Sequence, residues 1–400
     1  MDVVYAKQPR PEQWASSIFL AGPTPRSAEV PSWRPAALRA LEQAGFDGVV
    51  FVPEDEDGEF RGSYLDQVSW ERDALHASDV ILFWVPRQLD VMPAFTTNVE
   101  FGTWASSGKI VLGFPEGAPK CRYLGWLAGE HGAPVCHTLN KTVQAAINLI
   151  GPPAVRTGGA RLVPLQVWRT PAFQAWLAAQ QVAGNRLDHA RLLWSFQPSR
   201  ATMPFAWIVK VSVWVEAEQR HKSNEWVFAR SDMSAVVLHG PRQDDWRETE
   251  IVLVREFRAP VRTADGFVHE LPGGSTYDPS HSPRQVAAEE VSEEVGLTLS
   301  ADRLVAAGSR QLAGTLSAHH GHAFSAALSA EELDALRRSE ADGTVFGVGD
   351  SERTTVSIRT VGELLTDQRI DWSTLGMVLS IFSPAAASPA ATTTTSRPRD

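Results

Sequence analysis

The chain has 400 residues, of which 43% are hydrophobic and 21% charged, a length for two or three domains with cores of their own and a composition ordinary for a globular protein. A formal net charge of −10 excludes a general nucleic-acid binder, which needs a basic surface to release counterions from phosphates. Only Cys121 and Cys136 are present, which excludes a disulfide framework, and no run of 18 apolar residues occurs.

Residues 18–21 predict a short apolar strand closed by Gly22-Pro23. A helix follows, with Ser32 as its cap, Ala37, Leu38, Leu41 and Ala44 on one face, and Gly45 as its stop. Residues 49–52 predict the next strand, 64–77 a helix, and 79–85 (DVILFWV) a fully buried strand. A helix around 98–106, a strand at 110–114 and a helix at 138–150 complete the run. Strands alternating with helices imply a parallel sheet covered on both faces.

Residues 151–165 are rich in Gly and Pro and lack periodicity, so they predict a linker. A helix at 171–182 leads into strand-like runs at 207–215, 225–228, 235–238 and 251–256. Strands first and a helix later imply a mixed α+β domain. Residues 384–400 have no apolar periodicity and predict a disordered tail. The expected division is a first domain at 1–152, a linker and connecting helix at 153–189, a second domain at 190–383, and the tail. Most of the 14 Trp residues are expected in cores; Trp33, Trp84 and Trp104 are the candidates for stacking on a base.

The sharpest signal is His269-Glu270-Leu271-Pro272-Gly273-Gly274 followed by the segment from Ala287 to Leu297. Ser282, Pro283 and Gln285 predict a capping box with Pro at the first helical position. Glu290, Glu293 and Glu294 then lie at i, i+3 and i+4, so their carboxylates share one face and repel unless a cation sits between them. A hard divalent ion with oxygen ligands answers that need. The segment resembles a Nudix box, and residues 252–258 are similar to the ADP-ribose pyrophosphatase branch of that hydrolase family. The resemblance implies an α+β Nudix fold over roughly 190–380, Mg²⁺ or Mn²⁺ held by Glu290, Glu293 and Glu294, a catalytic part for Glu293, and substrate contacts at Gly273 and Gly274. The chain departs from the pattern at Glu289, where the family has Arg, and at Ser280 or His281, where it has Glu.

The first strand ends in Ala21-Gly22-Pro23, and Asn98-Val99-Glu100-Phe101-Gly102 follows the buried strand at 79–85. In a doubly wound sheet, ligands bind outside the carboxyl ends of the strands where strand order reverses. A flavodoxin-like order therefore sets Glu100 opposite Gly22, where a carboxylate can attack an anomeric carbon. The pattern resembles the nucleoside 2-deoxyribosyltransferase superfamily over roughly 15–150. That resemblance implies Glu100 as nucleophile, Glu71 as the second carboxylate, and substrate contacts at Gly22 and Pro23. A further Asp of the family is here Ala94, with Asn98 as its partial substitute.

The expectation is a soluble, cytoplasmic, two-domain enzyme of nucleoside and nucleotide metabolism. Its first domain would cleave an N-glycosidic bond or transfer a deoxyribosyl group, and its second would hydrolyse a nucleoside diphosphate derivative. Two alternatives stand beside it. One is an NAD glycohydrolase whose second half hydrolyses ADP-ribose; the other is a nucleotide sensor with an altered Nudix site. The expected partner is a small nucleoside or nucleotide, with no nucleic acid and no membrane, and a homodimer is left open.

Overall fold

The computed structural model describes the chain except residues 27–28, 57–62, 199–202, 277, 279, 348–351 and 384–400. The predicted disordered tail thus lies outside the described residues. Two compact units emerge: Met1–Arg230 with Thr315–Ala318, and Ser231–Gly314 with His319–Asp400.

In the first unit, β1 (Asp2–Tyr5), β2 (Gln13–Trp14), β3 (Ser17–Ala21), β4 (Val49–Val52), β5 (Val80–Trp84), β6 (Ile110–Gly113) and β7 (Val135–Cys136) are interspersed with helices. These are α1 (Arg34–Gln43), α2 (Tyr64–Ala77), α3 (Phe95–Trp104), α4 (Arg122–Glu130) and α5 (Leu139–Ile150). All but β2 build one sheet in the order β1-β4-β3-β5-β6-β7, each neighbouring pair parallel. The predicted flavodoxin-like order is therefore present, with β1 added at its edge. Successive strand residues point to opposite faces. Phe19, Phe51, Ile81, Phe83 and Leu112 accordingly pack with Leu75, Phe101 and Leu124 of α2, α3 and α4. Ile18, Leu20, Val50, Leu82 and Val111 pack with Leu41 of α1 and Val143 of α5.

The predicted linker is structured. β8 (Arg156–Thr157) pairs with β2, and Arg156 is wholly buried against Asp79. Its Nη1 donates to Asp79 Oδ1 at 2.8 Å and its Nη2 to Asp79 Oδ2 at 2.6 Å. Leu165 N donates to Oδ1 at 2.8 Å and Ser17 Oγ to Oδ2 at 3.0 Å. Charge, not apolar periodicity, orders this Gly- and Pro-rich segment. After α6 (Leu165–Trp168) and α7 (Pro171–Val182), β9 (Arg186–Phe196), β10 (Ala206–Val215) and β11 (Arg220–Arg230) form an antiparallel sheet in the order β11-β10-β9. The boundary expected at residue 190 falls inside β9. The first unit instead runs to Arg230, because Leu187, Ala190, Trp207 and Val209 share a core with Val163, Val167 and Phe173.

The second unit is a mixed sheet of eight strands. They are β12 (Met233–His239), β13 (Glu250–Phe257), β14 (Phe267–Glu270), β15 (Gly273–Gly274), β16 (Val305–Gln311), β17 (His320–Ala327), β18 (Val345–Phe346) and β19 (Thr354–Thr360). β12 and β17 are parallel and the other pairs antiparallel. Ala287, Val291 and Val295 of α8 (Pro283–Val295) and Leu333 and Leu336 of α9 (Ala330–Asp342) cover one face. α10 (Val361–Leu364) and α11 (Trp372–Phe382) cover the other through Val361, Leu364, Val378 and Phe382. The predicted capping box of Ser282 and Gln285 opens α8. Among the described residues no helix is long and apolar enough to cross a membrane.

Candidate functional site

The first unit contains a cavity of about 1330 Å³ beside the carboxyl ends of β3 and β4, and Gly22, Pro23, Glu71 and Glu100 all line it. Glu71 lies on α2 and accepts a bond of 2.7 Å from Gln67 Nε2. Burial raises its carboxyl, against the lowering effects of Gln67 and the Arg34 charge. Glu100 lies on α3. Burial, and then the negative charge of Glu71, push it up to about 7, with Arg34 again opposing. Both carboxyls are thus held above the ordinary carboxylate range within one cavity, and a pair of carboxyl groups is what glycosidic chemistry uses.

Arg34 braces the approach to these acids. It is buried at the start of α1, paired with Glu54, and donates from Nη1 to Thr24 Oγ1 at 3.1 Å. Its Nη2 donates to the Gly22 carbonyl at 2.8 Å and its Nε to the Leu20 carbonyl at 3.2 Å. Ser32 Oγ, expected only as a cap, donates to Glu54 Oε2 at 2.8 Å, and Trp33 Nε1 donates to the Pro23 carbonyl at 3.1 Å. The Gly22-Pro23 loop is thus fixed by side chains of α1. At Gly22 a Cβ would run into the Trp84 carbonyl and the Trp33 ring. Gly22→Ala is expected to cost about 1–3 kcal/mol of stability, read as a lower urea midpoint at unchanged slope.

One expectation about neighbours changes. Asn98 is outside the cavity lining, and its side-chain oxygen accepts from Arg87 Nη2. Two residues apart on a helix are about 200° apart around its axis, so Asn98 and Glu100 cannot share a face. Trp33 and Trp84 belong to the core, whereas Trp104 lines the cavity with His76 edge-on to its ring.

In the second unit the loop and helix residues do come together. Gly273 N donates to Glu294 Oε2 at 2.8 Å, and a Cβ at Gly274 would collide with the Glu290 carboxylate. Burial above all pushes Glu294 up to about 9. Burial and then Glu293 push Glu290 up to about 7. Glu293 itself is exposed. Arg258, ion-paired with Glu256 at 2.9 Å and Glu270 at 2.8 Å, stands among these acids. Among the described residues no three His, Cys, Asp or Glu side chains are arranged to hold a metal ion. The donor chemistry, all carboxylate oxygen, is nevertheless that of a hard divalent ion.

Comparison with protein families matches residues 15–118 to the family described as "Nucleoside 2-deoxyribosyltransferase like". The segment holds Gly22, Arg34, Glu71 and Glu100. Residues 15–118 form a nucleoside 2-deoxyribosyltransferase-like domain. No curated protein matches the chain significantly. One solved structure, titled "Crystal structure of ADP compounds hydrolase", aligns at 14% identity and a TM-score of 0.34, covering 49% of this chain and 91% of that one.

Within the deoxyribosyltransferase-like domain, the sequence reading missed Arg34, Glu54 and Gln67. Glu54 carried a usable signal, because it follows β4 directly at the carboxyl edge where such sheets bind ligands. Gln67 carried the i, i+4 spacing to Glu71, whereas Arg34 carried none, since its partners come from distant strands and loops.

Proposed function

We propose that the deoxyribosyltransferase-like domain breaks the N-glycosidic bond of a nucleoside or nucleotide, with Glu100 as nucleophile and Glu71 as the second carboxylate. The observation that carries this reading is the placement of both carboxylates in one cavity, within the segment that matches the family. Glu100 attacks the anomeric carbon as the base leaves, and the ester so formed is released to water or to a second acceptor. Gly22 and Pro23 line the same cavity. The decisive experiment is incubation with a panel of nucleosides, nucleotides and NAD, followed by mass spectrometry for free base. Nicotinamide release alone would move the substrate to NAD, and no base from any of them would end the proposal.

The coupling between the acids gives a further expectation. Attack needs ionised Glu100, so kcat/KM for base release should rise with pH through about 7. Glu71→Gln removes a negative charge that holds Glu100 up, and the acid limb should move to lower pH. A limb that stays in place would show that the two groups do not interact.

For the second unit we propose a Nudix-type pyrophosphohydrolase acting on a nucleoside diphosphate derivative, supported by the contacts of Gly273 with Glu294 and Gly274 with Glu290. Glu290, Glu293 and Glu294 would hold Mg²⁺ or Mn²⁺, with Glu293 turning inward and also serving catalysis. The bound ion would supply positive charge for phosphate oxygens. Ionised Glu290 and Glu294 are needed for this, and both are raised, so the folded unit loses stability as pH climbs from the ordinary carboxylate range through about 7 and about 9. A cation competes with those protons. Thermal stabilisation by millimolar Mg²⁺ with ADP-ribose should therefore grow from pH 6 to pH 9 and vanish in Glu290→Gln/Glu294→Gln. A melting temperature indifferent to Mg²⁺ across that range would count against the site.

A further inference from the structure

The cavity around Glu71 and Glu100 has one wall that the deoxyribosyltransferase-like domain does not provide. β9 supplies it, including Trp194 and Phe196, and β9 lies beyond residues 15–118. Residues two apart on a strand share a face. The register with β10 is regular here, pairing Trp194 with Ile208, Ser195 with Trp207 and Phe196 with Ala206. The two rings stand parallel, 8° between planes and 6.4 Å between centroids. They are 47% and 49% exposed, so these large apolar faces open into the cavity instead of filling a core.

The occupant follows from the chemistry of the same cavity. A substrate whose anomeric carbon reaches Glu100 carries its base only one bond farther, within the same cavity. A nucleobase is flat and has two π-faces, and aromatic side chains bind it by stacking whatever its hydrogen-bonding edge. Ala94, which also lines the cavity, offers only a methyl group. We infer that the stacked pair of Trp194 and Phe196 forms the stacking wall for the leaving nucleobase, and that this wall favours purines, whose larger faces cover more of the ring exposed to them. The inference rests on the glycosidic reading of Glu71 and Glu100.

The test separates the two. Trp194→Ala, Phe196→Ala and Trp194→Phe are made in the full chain. Binding of deoxyadenosine and deoxycytidine is measured by calorimetry in a Glu100→Ala background, and base release is followed with Glu100 present. Each alanine variant should weaken deoxyadenosine binding by roughly ten- to a hundredfold, with the loss appearing in KM rather than kcat. Trp194→Phe should recover most of it, and deoxycytidine should be affected less. Affinities that ignore both rings, while base is still released, overturn the wall and leave the glycosidic reading standing. Ring-dependent binding without any base release does the reverse. If neither probe binds to the Glu100→Ala protein, the wall is not a nucleobase site.

Discussion

Glu100→Ala is expected to lower base release by about a thousandfold or more, while nucleoside binding changes far less. The reason lies in how the side chain acts. A covalent glycosyl intermediate divides one difficult substitution at the anomeric carbon into two easier ones, and a methyl group cannot form it. Such a loss corresponds to about 4 kcal/mol or more of transition-state stabilisation. On the proposed reading sugar and base would be held by other lining residues, Gly22 and Pro23 among them, so the ground-state complex should survive. A 2-deoxy-2-fluoro nucleoside should leave the mass of its sugar on the peptide containing Glu100 in the unaltered protein. Base release that persists near the original rate in Glu100→Ala would transfer the nucleophile's role to Glu71 or remove it from this cavity. Hydrolysis of a nucleoside diphosphate derivative by the second unit should be untouched.

The second large effect is on stability. Arg156→Ala should destabilise the first unit by about 3–5 kcal/mol, because it leaves Asp79 as an uncompensated charge in the interior. The side chains of Arg156 and Asp79 are 0% and 2% exposed, so water cannot take the place of the lost partner. Arg156 also donates to the Val163 carbonyl at 2.6 Å, and that acceptor would be orphaned as well. Removing both charges together with Asp79→Leu/Arg156→Met should cost less than Arg156→Ala alone, since no buried charge remains. Urea unfolding followed by a probe in the first unit reads both. Equal losses in the single and double variants would mean that packing, not charge, holds this contact.

Much of the first unit was legible from its sequence because parallel strands buried on both faces are continuous apolar runs. Residues 49–52 and 64–77 were placed at the observed bounds of β4 and α2. β1 and β7 are too short to show a period, and α4 carries two glycines, which weaken the helical signal. β9 was missed for another reason. Bulges interrupt its pairing with β10 at two places, and it mixes His, Arg and Asp with Leu and Trp, so no clean alternation survives. That omission put the expected boundary inside the strand and hid the cavity's aromatic wall. Glu71 and Glu100 were singled out through the family resemblance, since a Glu on a helix carries little signal by itself, and the fold places both at one cavity. Asn98 lies two residues from Glu100 on α3, so the helical turn sets it on another face wherever the helix begins.

The strap from Arg156 to Leu165 separates what is shared with a family from what can fold. The family match stops at residue 118, yet the buried Asp79 inside it is satisfied by Arg156 and by Leu165 N, well past that limit. A fragment cut where the resemblance ends would strip that interior anion of the guanidinium and the backbone N–H that bind it. Excision, transplantation into another protein or expression of this half by itself must therefore retain the chain at least through Leu165. Protease should find the Gly- and Pro-rich stretch a poor target in spite of its composition. The heritable module and the cooperative folding unit have different edges here, and only the second can be moved intact.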